Sequence, residues 1–272
     1  MVMMAAGGPV RLYVEVAKRA FARFLTYRAA NVSGLITNAF FGVMISYVYI
    51  AAYGGRQVEA GWTEGDALTF VWVGQALLMP VHLFAWWEIA LTIRSGDIVS
   101  DLSKPFDYYA FWLSQDYGRA LYHTLFRGIP TLVVGWLLFD IQFPESPGRW
   151  LAFLLSVVLA VWISFGLRFL ANIASFWLLD YRGAGMALLF FNTFLSGLLV
   201  PLVYWPDAVR GIVVWLPFAG LIQAPVDVYL GHAMGRELAG LLLFQLSWAL
   251  VLLLVSRLLL NLAVRRVVIQ GG

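Results

Sequence analysis

The sequence contains no cysteine and few charged residues. Without thiols the chain can form neither a disulfide framework nor a thiolate metal site. Charged residues make up 12% of its 272 residues, whereas a soluble domain has roughly 25%. Because 62% of the residues are hydrophobic, there is too little charge to cover a surface in water. We therefore predict an integral membrane protein that forms one domain over residues 1–272, with Trp and Tyr at the membrane interfaces.

The chain also lacks the signatures of three kinds of site. No Gly-Lys pair occurs, so the phosphate-binding loop of nucleotide hydrolases is excluded. The histidines His82, His123 and His232 lack the spacing of metal ligands, and no Ser or Asp stands in a nucleophile motif. We expect no catalytic, cofactor-binding or metal site in this chain, and no nucleic-acid partner.

Long apolar runs predict an all-α protein with six membrane-spanning helices, because about 20 residues at 1.5 Å per residue cross a ~30 Å hydrocarbon core. Residues 110–127 are mixed in character and are interpreted as an interfacial lead-in to the third span. Arg168 and Asn172 interrupt the fourth span, and residues 180–185 predict a polar turn before the fifth. The predicted spans are residues 33–53, 67–92, 121–139, 150–179, 186–204 and 238–262.

Two further segments are amphipathic or interrupted. Residues 10–28 predict an amphipathic helix on the membrane surface, since apolar residues recur at three- and four-residue spacing with basic residues between them. Residues 205–232 carry too many prolines and charges for a lipid-exposed span, so they predict two short broken helices that dip back from one face. Residues 1–9 lack the features of a signal peptide. The apolar stripe of the first segment is Leu12, Val16, Ala20, Phe24 and Tyr27.

The stretch at residues 94–109, RSGDIVSDLSKPFDYY, is a charged insert between two apolar runs. It is either a solvated loop or a helix on which another protein docks. The helical spacing of Ile98, Leu102 and Phe106 favours docking, with Asp97 as the N-cap and Pro105 as the stop.

Basic residues predict the orientation of the chain. With the N-terminus inside, only Arg56, Arg149, Arg210 and Arg236 of the 18 Lys and Arg lie outside or near the outer face. This positive-inside bias predicts that both termini and the 94–109 insert are cytoplasmic and that residues 205–232 lie on the outer side.

Four polar residues within or near the spans are candidate functional residues. Glu88 is either an inner-interface residue or an ion-pair partner that ties the insert to the second span. Arg168 extends to the inner interface or faces a substrate path. Asn172 and Asn192 form hydrogen bonds between helices or contact substrate.

Three segments of the second half carry a family resemblance. They are SFWLLDYRGAG at residues 175–185, SGLLVPLVYWPDAVRG at 196–211 and LPFAGLIQAPVDVYLG at 216–231. Together with the Gly-Asp-Ile insert, their order and spacing resemble the permease subunits of ABC-2 type exporters, in the bacterial six-span branch without a fused ATPase.

The resemblance implies a complex of a known kind in the bacterial inner membrane. Two permeases, identical or related, enclose the path, and two separate ATPase subunits bind ATP and Mg on the cytoplasmic side. The insert becomes the coupling helix, and the broken segment becomes an outer gate. The implied coupling residues are Arg94, Asp97, Ile98, Asp101, Leu102, Lys104 and Pro105. The implied gate residues are Pro201, Pro206, Asp207, Arg210, Pro217, Phe218 and Pro225.

Other functional classes remain open at this point. An ion-driven secondary transporter needs midplane carboxylates on broken helices, and the sequence indicates a single broken segment. An intramembrane enzyme needs converging catalytic groups, and none is evident. A scaffold subunit that transports nothing is the third alternative. The substrate, the direction of transport and the identity of the second permease are open as well.

Overall fold

The computed structural model describes residues 9–54, 61–84, 86–178 and 181–264. Across these ranges the chain is helical and has no β-strand, which confirms the all-α prediction. Arg56, the start of the predicted 180–185 turn, and residues 1–8 lie outside the described residues.

Twelve α-helices follow one another in the described ranges, with five shorter helical turns between them. The turns are of π type at Leu78–His82 and Thr124–Gly128, and of 3-10 type at Ala174–Phe176, Leu202–Tyr204 and Pro217–Gly220. The α-helices are α1 (Pro9–Phe24), α2 (Arg28–Tyr53), α3 (Glu64–Leu77), α4 (Glu88–Ser95), α5 (Ile98–Leu102), α6 (Tyr108–His123), α7 (Ile129–Leu138), α8 (Pro147–Ile173), α9 (Tyr181–Leu195), α10 (Asp207–Val213), α11 (Gln223–Leu230) and α12 (Gly235–Val264).

Local side-chain chemistry sets several of these helix starts. Thr63 and Asp66 form a reciprocal capping box at the start of α3, which satisfies backbone N–H groups that no helical carbonyl reaches. Asp107 accepts a hydrogen bond from the Ala110 N–H and caps α6. Ser146 caps α8, and Pro147 follows at a position where a missing N–H has no cost.

Three of the described helices are long and apolar enough to cross a membrane: Ala29–Tyr53, Pro147–Phe176 and Gly235–Val264. The predicted second and third spans are helical but contain π turns at Leu78–His82 and Thr124–Gly128. The predicted fifth span is shorter than expected, because the 15 residues of α9 cover only about 22 Å. The count of six spans therefore stays a prediction.

Several predicted boundaries are wrong. The predicted second span, 67–92, is broken after His82, and the helix resumes at Glu88. The mixed lead-in at 110–127 is continuous helix with the third span, and α8 runs unbroken past Arg168 and Asn172. Both side chains have buried partners, so neither disrupts its helix.

The region around the fifth span also differs from the prediction. Tyr181–Gly185, predicted as a turn, is the first part of α9. This helix ends at Leu195 and not at residue 204, because the next carbonyl, that of Ser196, accepts a hydrogen bond from the Gln223 backbone N–H at 3.0 Å. The chain then turns into the separate Leu202–Tyr204 turn.

Helix α1 packs along α6, so one of its faces meets protein as well as the predicted membrane surface. Ala20 is buried there, while Leu12 is exposed. The close approach needs Gly118, since a Cβ at this position would lie 2.1 Å from the Ala17 carbonyl oxygen. Helix α1 thus packs against protein on one face, and its placement on the membrane surface stays a prediction.

The core lies around α8, which packs against α4, α6, α9, α11 and α12. Its buried side chains include Ile163, Phe165 and Phe169. By contrast, α2 and α12 expose large apolar side chains outward, among them Ile36, Tyr47, Leu243 and Leu258. A contiguous apolar exterior of this kind matches a lipid environment and is rare on soluble monomers.

Candidate functional site

The second apolar segment is interrupted between residues 78 and 87, a stretch that we call the break. Pro80 lies inside it and has no N–H to donate, so the regular helical ladder cannot continue. The chain instead forms a π turn over Leu78–His82. His82 has a positive φ of 58°, which is unusual for a residue with a Cβ.

Side chains from three neighbouring helices satisfy the carbonyl groups that the break leaves without helical partners. Arg119 of α6 donates to the Met79 and Pro80 carbonyl oxygens at 2.6 and 2.9 Å. The hydroxyl of Ser164 on α8 donates to the His82 carbonyl at 3.1 Å.

The remaining carbonyl partners are asparagines. Asn192 of α9 donates to the Leu83 carbonyl at 3.0 Å. Asn172 of α8 donates to the Trp86 carbonyl at 2.7 Å and accepts from the Ala90 N–H at 2.9 Å. An unsatisfied polar group in hydrocarbon costs several kcal/mol, so these contacts are what makes a broken helix tolerable at this depth.

Beside the break lies a buried triad of charged residues, Asp116, Arg119 and Arg168. Arg168 donates to both Asp116 carboxylate oxygens, at 2.7 and 3.3 Å, and Arg119 Nε donates to one of them at 2.8 Å. Only 1% of the Arg168 side chain is exposed. Arg168 Nε also lies 3.3 Å from the Ser164 oxygen, so the triad is joined to the break through a shared serine.

The structure thus brings together three of the four polar candidates from the sequence: Arg168, Asn172 and Asn192. Asn172 and Asn192 form contacts between helices, as one of the two interpretations held. Arg168 is buried against Asp116 and does not extend to the interface. Sequence reasoning missed Pro80 as a helix breaker, and it treated Asp116 and Arg119 as interfacial. Their i, i+3 spacing within an apolar helix was the available signal.

Glu88, the fourth candidate, begins α4 just after the break. Its ion pair is with Arg23 of α1, with Nη2 and Oε1 at 3.6 Å. Glu88 thus links the surface helix to the start of the insert. Arg94, near the end of α4, lies over the Tyr181 ring at 5.8 Å.

The insert at residues 94–109, called here the coupling element, contains the short helix α5. Ile98 is 1% exposed and packs in the chain's own core with Ile89, Tyr108 and Phe169. The opposite side of the helix is exposed. The exposed residues in and just after α5 are Val99, Ser100, Ser103, Lys104 and Pro105.

Asp97 lies at the predicted N-cap position of α5, but it forms no capping hydrogen bond. Its backbone is in the right-handed helical region and its side chain caps no N–H group. The carboxylate instead accepts a hydrogen bond from the Ser95 hydroxyl at 2.6 Å. Asp101 pairs with Lys104 at 2.7 Å on the exposed surface.

The C-terminal end of the coupling element is tied to two distant helices through Asp107. Its carboxylate accepts from Arg257 of α12 at 2.8 Å. Its backbone N–H donates to the Tyr13 hydroxyl of α1 at 3.1 Å. A displacement of the element would therefore be transmitted to both helices.

The segment at 205–232, called here the outer segment, contains the two short helices α10 and α11 that its sequence predicted. Pro206 directly precedes α10, Pro217 begins a 3-10 turn with Phe218, and Pro225 lies in the first turn of α11. Asp207 and Arg210 form an exposed ion pair at 2.6 Å.

Gln223 holds the outer segment to the turn after Pro201. Its side-chain oxygen accepts from the Leu202 N–H at 2.9 Å, and its amide nitrogen donates to Asp227 at 2.8 Å. Burial raises the pKa of the Asp227 carboxyl to about 7, although the Gln223 hydrogen bond opposes this shift. A cleft of about 430 Å³ lies between this segment, Trp62 and His232.

Within the part of the chain that the structure describes, the polar groups of this arrangement hold the interrupted backbone in place. Within the described ranges, no three His, Asp or Glu side chains converge as a metal-binding group. The polar groups of the triad are bound to each other and to backbone carbonyls.

Comparisons with known proteins agree with the family resemblance in the sequence. Neither a curated protein nor a solved structure matches the chain. Residues 26–271 match the family described as ABC-2 family transporter protein. That range includes the break, the triad, the coupling element and the outer segment. The chain therefore belongs to the ABC-2 family of transporter permeases and is a membrane-embedded transporter component that is not itself catalytic.

Proposed function

We propose that the chain is the permease subunit of an ATP-driven exporter in the bacterial inner membrane. It forms the substrate path with a second permease, identical or related, and two separate ATPase subunits drive it. ATP and Mg are bound by those ATPase subunits. Family membership supports this assignment, because ABC-2 permeases typically work with ATPase subunits.

The observation that carries the proposal is the two-sided construction of α5. Its inner side is anchored through Ile98 in the core of the bundle, while Val99 and Ser100 on its other side are exposed. A short helix held this firmly cannot move without its neighbours, so a partner that grips the exposed side can displace helices. This differs from a mobile solvated loop, the other interpretation of the segment.

Two routes lead from the coupling element into the bundle. Through α4 it reaches the break, where the chain can change direction between α3 and α4. Through Asp107 it reaches α12 and α1. Closure of the ATPase dimer would then tilt helices on the inner side while the hydrogen bonds at the break keep the joint intact.

On the proposed topology both termini and the coupling element are cytoplasmic, the chain crosses six times, and the outer segment forms an outer gate. The interrupted segments 64–82 and 108–138 and the short helix α9 provide the three spans beyond the long ones. Side chains from the bundle satisfy the interrupted backbone of the first, as irregular structure in a membrane requires.

The decisive experiment compares two identical substitutions on exposed valines. Val99→Asp alters the exposed side of α5, and Val209→Asp alters an exposed position on α10 in the outer segment. The tagged chain is purified in mild detergent from its native cells, and co-purifying, vanadate-sensitive ATP hydrolysis is measured. Val99→Asp should lower it about tenfold, because an aspartate in an apolar docking cleft would be desolvated without a partner.

Val209→Asp should leave ATP hydrolysis at the parental value. If both variants retain it, the coupling assignment is wrong. If the parental chain brings no ATPase with it and is indifferent to ATP and vanadate, the exporter assignment fails as a whole.

The absence of cysteine from the sequence allows a direct test of topology. Ser100→Cys and Ala208→Cys each introduce the only thiol at an exposed position. In intact spheroplasts a membrane-impermeant maleimide should label Ala208→Cys and spare Ser100→Cys, and lysis should expose both. Labelling of Ser100→Cys in intact cells would reverse the proposed orientation.

The break also bears on the alternative of an ion-driven secondary transporter, since such proteins use discontinuous helices. The nearby carboxylate, Asp116, has both oxygens bound by guanidinium groups and is poorly suited to exchange a coupling ion. An ion-driven chain would transport in vesicles that lack ATP, whereas the proposed exporter would not.

A further inference from the structure

A second cavity lies between α1, the start of α2, and α6 with its π turn. Its volume is about 400 Å³, and its walls combine aromatic rings with two guanidinium groups. It is separate from the triad and from the outer segment. The aromatic part consists of Phe24, Tyr27 and Tyr122.

Three buried polar atoms in this cavity wall have no hydrogen-bond partner. His123 is 7% exposed and its Nδ1 is unpartnered. Arg127 Nε and Asn31 Oδ1 are in the same state. Buried polar groups are nearly always hydrogen-bonded, so three unpartnered atoms beside one cavity are unusual. The atoms themselves are buried, while other parts of the same residues line the cavity.

The position of Arg127 is itself constrained by the fold. Its Nη2 donates to Asn38 on α2 at 2.8 Å. A Cβ on Gly34 would lie 2.2 Å from Arg127 Nη1, so the glycine makes room for the guanidinium against the backbone of α2. The geometry thus holds a half-buried cation at a fixed place in the wall.

The charge in the cavity favours an anion. Arg23 and Arg127 contribute two positive charges, and Glu88 contributes one negative charge. Glu88 binds Arg23 at 3.6 Å with both side chains about half exposed, a loose pair that contributes little. A phosphate has several acceptor oxygens, so it can accept from both guanidinium groups.

The surroundings identify the source of that phosphate. The basic helix α1 forms one wall of the cavity, and the π turn that carries Arg127 also carries two exposed apolar side chains, Leu125 and Phe126. A head group in the cavity would leave its acyl chains along this apolar surface. Basic pockets between membrane helices are known head-group sites.

We propose that this cavity binds the phosphate of an anionic phospholipid. The inference uses the membrane placement of the proposed function but not ATP coupling, so each can fail without the other. A bound phosphate would compete with Glu88 for Arg23, and Glu88 is the first residue of α4. Lipid binding would thereby change the ion pair at the start of α4, the helix that leads into the coupling element.

The test measures retained lipid and stability on the full-length protein. The protein is reconstituted in nanodiscs of phosphatidylcholine alone or with phosphatidylglycerol, and the lipid that remains after mild detergent extraction is quantified by native mass spectrometry. The variants are Arg127→Gln, Arg23→Gln and, as a matched control, Arg236→Gln at an exposed position near α12's start. The melting temperature in phosphatidylcholine alone reports whether each variant folds.

Arg127→Gln should lower retained phosphatidylglycerol about tenfold, the loss expected for one charge-assisted hydrogen bond. Arg23→Gln, at a more exposed site, should lower it about threefold, and Arg236→Gln should not change it. If Arg127→Gln fails to fold, the retention of phosphatidylglycerol by Arg23→Gln tests the proposal by itself. Equal retention in all folded variants would overturn the proposal. If inorganic phosphate raises the melting temperature as much as the lipid does, the ligand is a free anion and the lipid assignment is overturned.

Discussion

The break and helix α10 of the outer segment both follow or contain a proline, yet they are stabilised differently. At the break, side chains from α6, α8 and α9 donate to carbonyl groups that the interruption leaves without helical partners. At α10 the contacts are local, since Arg210 binds Asp207 three residues away and the nearby Val203 carbonyl. Helix α11 of the same segment packs in the core against α8. Movement of the bundle therefore acts directly on the break and on α11, and less directly on α10.

The largest expected effect comes from Arg119→Met. It removes the donors to the Met79 and Pro80 carbonyls and one of the two cations on Asp116. Removal of one partner from a buried ion pair costs ~3–5 kcal/mol, so folded yield in detergent and melting temperature should fall sharply. Arg210→Met in the outer segment is the matched control and should cost under ~1 kcal/mol. Equal losses would contradict the distinction between the two regions.

Asn172→Leu should cost ~1–3 kcal/mol, because it leaves the Trp86 carbonyl and the Ala90 N–H without partners. Asn261→Leu, at an exposed position on α12, should have almost no effect. Melting temperature separates the two, and transport by the folded Asn172→Leu protein should be slower. A variant as stable as the parent would mean that water satisfies the break.

The outer segment should respond to pH through Asp227. Its folded pKa of about 7 is above the unfolded value of 3.8. The native state therefore binds more protons between these values, and stability falls as pH rises through this window. Asp227→Asn, which cannot ionise, should match the parent near pH 4 and be more stable by ~1–2 kcal/mol at pH 8.

His232 also faces this carboxylate, with Nδ1 4.0 Å from Asp227 Oδ1. Burial lowers the pKa of His232, and the nearby Asp66 carboxylate opposes this shift. Melting curves of the parent and of Asp227→Asn from pH 4 to 8 measure the difference in stability. Parallel curves for the two proteins would refute the predicted pH dependence.

The smallest expected effect concerns the exposed pair in the outer segment. Exchange of its charges, Asp207→Arg with Arg210→Asp, should change stability by under ~0.5 kcal/mol. Export should change while ATPase association does not, because the pair is remote from the coupling element. If ATPase association is lost instead, these residues have a structural role in assembly.

The all-α membrane class and most of the helices can be predicted from the sequence, because composition and the hydrophobic period are local properties. The limits of α12 and the pair of short helices in the outer segment follow from such signals. The break does not, although Pro80 was visible in the sequence, because an apolar run with one proline can be a kinked or a broken helix. Its outcome depends on Arg119 and Asn192, about 40 and 110 residues away in sequence.

The candidate site likewise has a part that the sequence predicts and a part that it does not. Arg168, Asn172 and Asn192 stand out as polar residues in apolar runs, so sequence alone could select them. Their partners could not be read from it, since a contact such as Arg168 with Asp116 joins residues 52 positions apart. The docking side of α5 predicted from Ile98 is wrong as well, because Ile98 and Val99 are equally apolar and only packing shows that Ile98 lies in the core.

The two contacts of Asp107 can form only at different stages of the synthesis of the protein. The contact with Tyr13 joins residues 94 positions apart and can form early, whereas Arg257 comes 150 residues after Asp107. Because the chain is synthesised and inserted from its N-terminus, the coupling element receives its second anchor only after α12 has emerged from the ribosome. A chain that ends before α12 would therefore lack the Asp107–Arg257 contact, and its coupling element would be held by the Tyr13 contact and the packing of Ile98.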